Sequence, residues 1–154
     1  MKLGSAARDA AIDAAVAAIN DLLLPLGFEK TRRCEWKRVS SWKTEEVDLM
    51  LSRGETVFLP SFRVVLGEMD SYIAQTNVAK VIDPDSNPQY VKIPSLSLQI
   101  GAFARNLVDE VRAALGWFEA FKTTAGCKAY VASNLDPRAP VYVQALAYLD
   151  SVTE

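Results

Sequence analysis

The sequence predicts an α+β fold, a three- or four-stranded antiparallel sheet packed against N-terminal and C-terminal helices. Three observations predict it. Apolar residues recur at helical spacing in residues 5–24. They alternate with polar residues in short runs between residues 28 and 66. Helical spacing returns after residue 106. Strands grouped together between helices favour an antiparallel sheet, whereas regular alternation of strand and helix would favour a parallel one.

The first helix is expected over residues 5–24. Ile12, Val16, Ile19 and Leu23 fall four, three and four residues apart and make one apolar face. The alanine run adds helix propensity. Ser5 is the expected cap, Asp9 lies near the positive end of the dipole, and Pro25 and Gly27 stop the helix. A strand over residues 28–30 should turn through Thr31-Arg32-Arg33 into a second over residues 34–39, with the next turn at Ser40-Ser41. Val47, Leu49 and Leu51 alternate with Asp48, Met50 and Ser52 as a half-buried strand, followed by a turn at Arg53-Gly54-Glu55. Phe62, Val64 and Leu66 alternate again between Pro60 and Gly67. Residues 83–88, Asp-Pro-Asp-Ser-Asn-Pro, form a loop, and the alternation of Leu96, Leu98 and Ile100 suggests one more strand. A second long helix is expected over residues 106–121, capped by Asn106, with Leu107, Val111, Ala114 or Leu115, and Phe118 as its stripe. A short helix over residues 127–133 and a last one opened by Pro137 or Pro140 complete the chain, the last with Val141 or Tyr142, Ala145 and Leu149 inward. All 154 residues are read as one globular domain, a length at which a single core suffices.

Composition excludes several classes. Half of the residues are hydrophobic and 23% charged, which is globular rather than disordered. Seventeen Lys and Arg stand against nineteen Asp and Glu, a net charge of -2, with a pI near 5.3. Duplex-binding domains usually carry a pI above roughly 9, so nucleic acid is an unfavoured partner. No apolar run reaches the roughly 18 residues that a membrane helix needs. Asp9 and Asp13 interrupt the N-terminal stretch, which does not read as a signal peptide, so the chain reads as cytoplasmic with Cys34 and Cys127 as reduced thiols. Histidine is absent, which removes the commonest general base and metal ligand. There is no Walker loop, no Gly-x-Gly-x-x-Gly, no Gly-x-Ser-x-Gly and no Cys-x-x-Cys, and no cofactor is implied.

One stretch carries a resemblance. Pro25-Leu26-Gly27-Phe28-Glu29-Lys30, then Cys34-Glu35-Trp36-Lys37-Arg38, then Leu49-Met50-Leu51-Ser52 is similar to the bacterial family known as domain of unknown function 4304. The likeness covers roughly residues 8–67. This chain has Thr31-Arg32-Arg33 where the family often carries a glycine in the tight turn. The resemblance implies a small α+β fold and brings no catalytic residues with it.

Among candidate sites, the basic hairpin stands first. Residues 28–43 hold Lys30, Arg32, Arg33, Lys37, Arg38 and Lys43 against Glu29 and Glu35, with Trp36 and Trp42 among them. Lys30, Arg32, Arg33, Trp36, Lys37, Arg38 and Trp42 are the expected interaction surface. Its partner would be a protein with an acidic surface, or a single strand whose bases stack on the tryptophans. The plainer reading is a solvated edge whose charges discourage strand-to-strand aggregation. Cys34 has basic neighbours in sequence but no histidine to act as its base, and free cysteine is most often a small buried hydrophobe. Glu45, Glu46, Asp48, Asp83 and Asp85 offer oxygen ligands, yet the Asp83–Asp85 loop lacks the glycine and distal glutamate of an EF-hand, and solvated carboxylates are the plainer reading. Trp117, Phe118, Phe121, Tyr130, Tyr142 and Tyr148 fall at helical spacings and suit packing against the sheet. The expected function is a non-enzymatic protein-binding or regulatory module, of the immunity type for example. The alternative is a small-molecule-binding or catalytic domain with a pocket between sheet and helices, built from Arg63, Glu68 and Tyr72.

Overall fold

The computed structural model describes residues 2–86 and 90–153. Helix α1 (Lys2–Leu23) buries Ile12, Val16, Ile19 and Leu23, the stripe expected from their spacing, together with Ala11 and Ala15. It begins before Ser5, which lies inside the helix rather than capping it. A 3-10 turn (Leu24–Leu26) follows, and Gly27 at φ 91° donates its N–H to the Leu24 carbonyl. That left-handed conformation costs glycine nothing and ends the helix where the sequence says it should.

The strands are β1 (Glu29–Arg32), β2 (Glu35–Val39), β3 (Lys43–Asp48), β4 (Val57–Phe58), β5 (Ser61–Leu66), β6 (Ala74–Asn77) and β7 (Val91–Lys92). Five of them form an antiparallel sheet in the order β1-β2-β3-β5-β6, and β4 and β7 form a separate ribbon. The fold is therefore α+β as expected, with β6 added at one edge of the sheet. Helix α2 (Val78–Ile82) follows β6 directly, and Val78 N–H donates to the Pro60 carbonyl. The later helices are α3 (Ile100–Ala114), α4 (Thr124–Asn134) and α5 (Pro140–Ser151), with a 3-10 segment (Leu115–Phe121) between the first two.

Several further boundaries differ from the sequence reading. β1 runs on through Arg32, so the turn sits at Arg33-Cys34. β3 begins at Lys43 and stops at Asp48, because the Asp48 carboxylate accepts from Met50 N–H at 2.7 Å and Met50 takes φ 49°. The alternation of Leu96 and Leu98 is not a strand. Ser97–Gln99 is a 3-10 turn, Leu98 is 97% exposed, and Ile100 already opens α3. Asn106 consequently sits inside α3, whose buried face is Phe103, Leu107, Val111 and Ala114. Residues 83–86 do form the expected turn, and Asn87 and Pro88 lie outside the described residues.

Trp36, Val47 and Phe62 sit side by side across β2, β3 and β5 on the face that meets the helices. Trp36 donates from Nε1 to Asn20 of α1 at 3.0 Å, and Phe62 lies 4.8 Å from Phe118. Adjacent Trp117 and Phe118 differ in burial: Phe118 is buried and Trp117 half-buried. Cys127 is buried in the same core.

Two further side chains of this face are charged. Glu45 is 5% exposed and Lys43 is 8% exposed. Arg38 clamps Glu45 through Nε at 3.2 Å and Nη2 at 3.0 Å. Lys43 Nζ lies 3.6 Å from Glu45 and donates to the Phe121 carbonyl. A carboxylate held between two cations satisfies charges that would be costly to bury alone. Glu45→Gln would leave both cations uncompensated. We expect a loss of about 3 kcal/mol, at the low end for buried pairs because Arg38 reaches solvent. Urea unfolding should show it as a lower midpoint at unchanged slope.

The C-terminal helix α5 is held at the opposite corner. The Trp42 carbonyl accepts from Gly67 N–H at 2.9 Å and from the Tyr148 hydroxyl at 2.8 Å. Gly67 has φ 51°, and a methyl group there would stand 2.8 Å from the Tyr148 ring. Gly67→Ala should therefore destabilise by about 1–3 kcal/mol, measured in the same unfolding experiment.

Candidate functional site

Strand geometry sends successive side chains to opposite faces, and this divides the expected basic surface. Trp36 is fully buried, Trp42 is buried, and Arg38 turns inward to Glu45 with its guanidinium 4.5 Å over the Phe28 ring. These three do not form an exposed binding face. Lys37 points the other way and lies 3.5 Å from Glu46 and 3.7 Å from Glu35. Arg33, at the hairpin turn, pairs with Asp13 of α1 at 3.5 Å and with Glu55 at 3.2 Å. Among the described residues only Lys30 and Arg32 of the seven-residue set are cations without an ion pair, and both are on edge strand β1. The local excess of positive charge counted along the chain is neutralised in space.

The face of the sheet turned away from the helices carries a different arrangement. Glu35, Lys37, Glu46, Asp48 and Arg63 come together there from β2, β3 and β5. Arg63 Nη2 donates to Asp48 at 2.9 Å, and Nη1 lies 3.5 Å from Glu46. These side chains are tightly packed for a face without a covering helix: Glu46 is 12% exposed, and Arg63 and Asp48 are each 20% exposed. Arg63 Nε is buried with no hydrogen-bond partner in the structure. The Tyr72 ring, itself 46% exposed, lies 5.9 Å from the Arg63 guanidinium.

Two shallow depressions flank Arg63. One is bounded by Val39, Val65, Met69 and Tyr72. The other is bounded by Arg32, Cys34, Met50, Leu51 and Glu55. Arg63 and Tyr72, named from sequence as pocket residues, thus do meet, but on the uncovered face and not between sheet and helices. Glu68 is exposed on the neighbouring loop and lines neither depression. The sequence reading missed the cross-strand partners Glu46 and Asp48. Their signal was available: two alternating strands paired antiparallel place Glu46 opposite Arg63.

The acidic residues considered as metal ligands do not converge. Glu45 faces the helices while Glu46 and Asp48 bind Arg63. Asp83 Oδ1 accepts from Asp85 N–H at 3.2 Å. Among the described residues no three of His, Cys, Asp or Glu form a group able to hold a metal ion. No described helix is long and apolar enough to cross a membrane. No protein-family model, no curated protein and no solved structure matches the chain.

Cys34 lies in the second depression but is not an activated thiol. Burial pushes its pKa up to about 11 from 9.0, Arg33 draws it down, and Asp48 and Glu55 raise it further. A raised pKa keeps the sulfur protonated at neutral pH, so it is a poor nucleophile. A rise of that size leaves roughly 100-fold less thiolate near pH 8 than in an exposed cysteine. Alkylation of the folded protein by iodoacetamide should be slower by about that factor and should rise with pH until about 11. A rate equal to that of the urea-unfolded chain would contradict this.

Proposed function

We propose that this protein is a non-enzymatic binding module, regulatory or immunity-type in character, that seats a protein partner on the uncovered face of its sheet. One observation carries the reading. A sheet with helices on one side only displays, on its other side, a packed lattice of paired charges bordered by exposed Tyr72 and Val39. Ion pairs held in place before binding lose little side-chain entropy when a partner covers them.

The chemistry of the partner follows from the charges. The lattice has two cations and three anions, so it neither attracts nor repels strongly at long range. At its rim Arg32 lines the second depression and has no ion pair among the described residues. An acidic side chain on the partner would be received there, which keeps a protein with an acidic surface as the partner. A nucleic-acid strand needs several free cations along its path, and most cations of the hairpin already hold carboxylates. The proposal also keeps the resemblance of residues 8–67 to domain of unknown function 4304, on the Leu26-Gly27-Phe28 corner and the strands after it. The proposed location is the cytoplasm.

The test is affinity capture from source-cell lysate with three baits: the native chain, a face variant carrying Val39→Asp and Tyr72→Ala, and an edge variant carrying Lys30→Glu. All three positions are exposed, so folding is preserved. We expect one stoichiometric protein on the native and edge baits and at least a tenfold loss on the face bait. Retention should change by less than about tenfold as salt is raised from about 0.1 to about 1 M. Loss on the edge bait alone would return binding to the hairpin, and enrichment of nucleic acid or of no macromolecule would overturn the proposal.

A further inference from the structure

A second concavity lies at the end of the sheet where β5 begins and β6 ends. α2, the β4–β7 ribbon and α3 meet there around a cavity of ≈ 240 Å³. Its lining is mixed: Leu59, Pro60, Val78, Ile82 and Val91 are apolar, and Ser86 and Tyr90 add polar groups. The charged groups lining it are both carboxylates, Asp83 at the end of α2 and Glu110 on α3. No Lys or Arg lines it among the described residues.

The two carboxylates differ in what already engages them. Asp83 gives one oxygen to the Asp85 N–H. Glu110 makes no ion pair among the described residues, and burial alone holds its carboxyl above the usual range. A partly desolvated carboxylate beside apolar side chains is stabilised by a cation that brings its own apolar body. A volume of ≈ 240 Å³ lies below the roughly 300–1,000 Å³ of pockets for drug-sized ligands, so the occupant is small.

We propose that this cavity binds a small organic amine, its apolar body against Val78, Ile82 and Val91 and its ammonium toward Glu110 and Asp83. The site shares no lining residue with the two depressions beside Arg63 and does not rest on the protein-docking reading. It gives the sequence-based expectation of a pocket between sheet and helices a different location and different residues. Binding should depend on charge sign as well as on shape. A neutral isostere keeps the apolar contact but loses the ion pair, and an anionic one is repelled by both acids.

The experiment is a titration of the isotope-labelled full chain, followed by amide shifts, with phenethylamine, 2-phenylethanol and phenylacetate as probes. We expect phenethylamine to shift amides of residues 78–83, 91 and 110, with 2-phenylethanol at least about tenfold weaker and phenylacetate without effect. Glu110→Gln, at a residue that is exposed and has no ion pair among the described residues, should weaken phenethylamine about tenfold and leave the unfolding midpoint unchanged. A second variant, Ala79→Phe, fills the cavity and should abolish the shifts. Absence of shifts at millimolar amine, equal affinity for all three probes, or binding indifferent to Glu110→Gln would each overturn the proposal.

Discussion

The Arg38–Glu45–Lys43 triad is the constraint on which the rest of the sheet depends. It spans β2, β3 and the 3-10 segment, because Lys43 also donates to the Phe121 carbonyl. Arg38 extends the tie to the first corner of the chain, donating to the Leu26 carbonyl at 3.0 Å and covering Phe28. A hydrophobic trio of equal volume could hold these elements with similar stability. What the charges add is register. Arg38 stands opposite Glu45, and a slip of one residue would carry them to opposite faces and leave buried charges unpaired. The β2–β3 pairing is therefore fixed by a penalty on every alternative.

That register settles the composition of the other face. Once Arg38 and Glu45 point inward, Lys37 and Glu46 point outward and meet. The next pairing in the sheet, Glu46 opposite Arg63, brings the guanidinium onto the same lattice. The Phe118 and Phe121 rings cover the inner face, where aromatic contacts supply packing. The outer face gains its low exposure from side chains packed on one another and on the loops carrying Met50 and Tyr72. Stability and surface chemistry are thus divided between two faces of the same strands, and alternate residues of β2 and β3 serve one or the other.

Much of this was legible in the sequence, and the misses share a physical cause. The α1 stripe, the Gly27 stop, β5 and the Pro140 start of α5 are local features, each decided by spacing or by a backbone-restricted residue. β6 was invisible because Ala74-Gln75-Thr76-Asn77 has neither strong alternation nor β-branched residues beyond Thr76, and it forms by pairing with β5. Leu96 and Leu98 mimic a strand but have no surface to bury against, while the four-residue spacing of Phe103, Leu107 and Val111 already marked a helix starting earlier than Asn106. The basic hairpin misled for a related reason. Charges were summed along the chain, but their neutralising partners Asp13, Glu45, Glu46 and Glu55 come largely from other strands, from α1 and from a later loop.

That neutralisation also determines how an encounter with a partner must proceed. Exposed charges are screened beyond roughly 8–10 Å at ordinary ionic strength, and paired charges of opposite sign cancel over shorter distances still. The unpaired cations Lys30 and Arg32 are too few to create a strong field over a chain whose net charge is -2. Association through the lattice therefore gains little from long-range steering and depends on fit at contact. The same reasoning separates the two sites. The lattice discriminates by matching a pattern of both signs over an area, whereas the Glu110 cavity discriminates by a single sign in a small volume. One molecule can hold both because Arg63 projects from β5 onto the uncovered face beside Glu46, while Leu59 and Pro60, just before the strand, line the cavity.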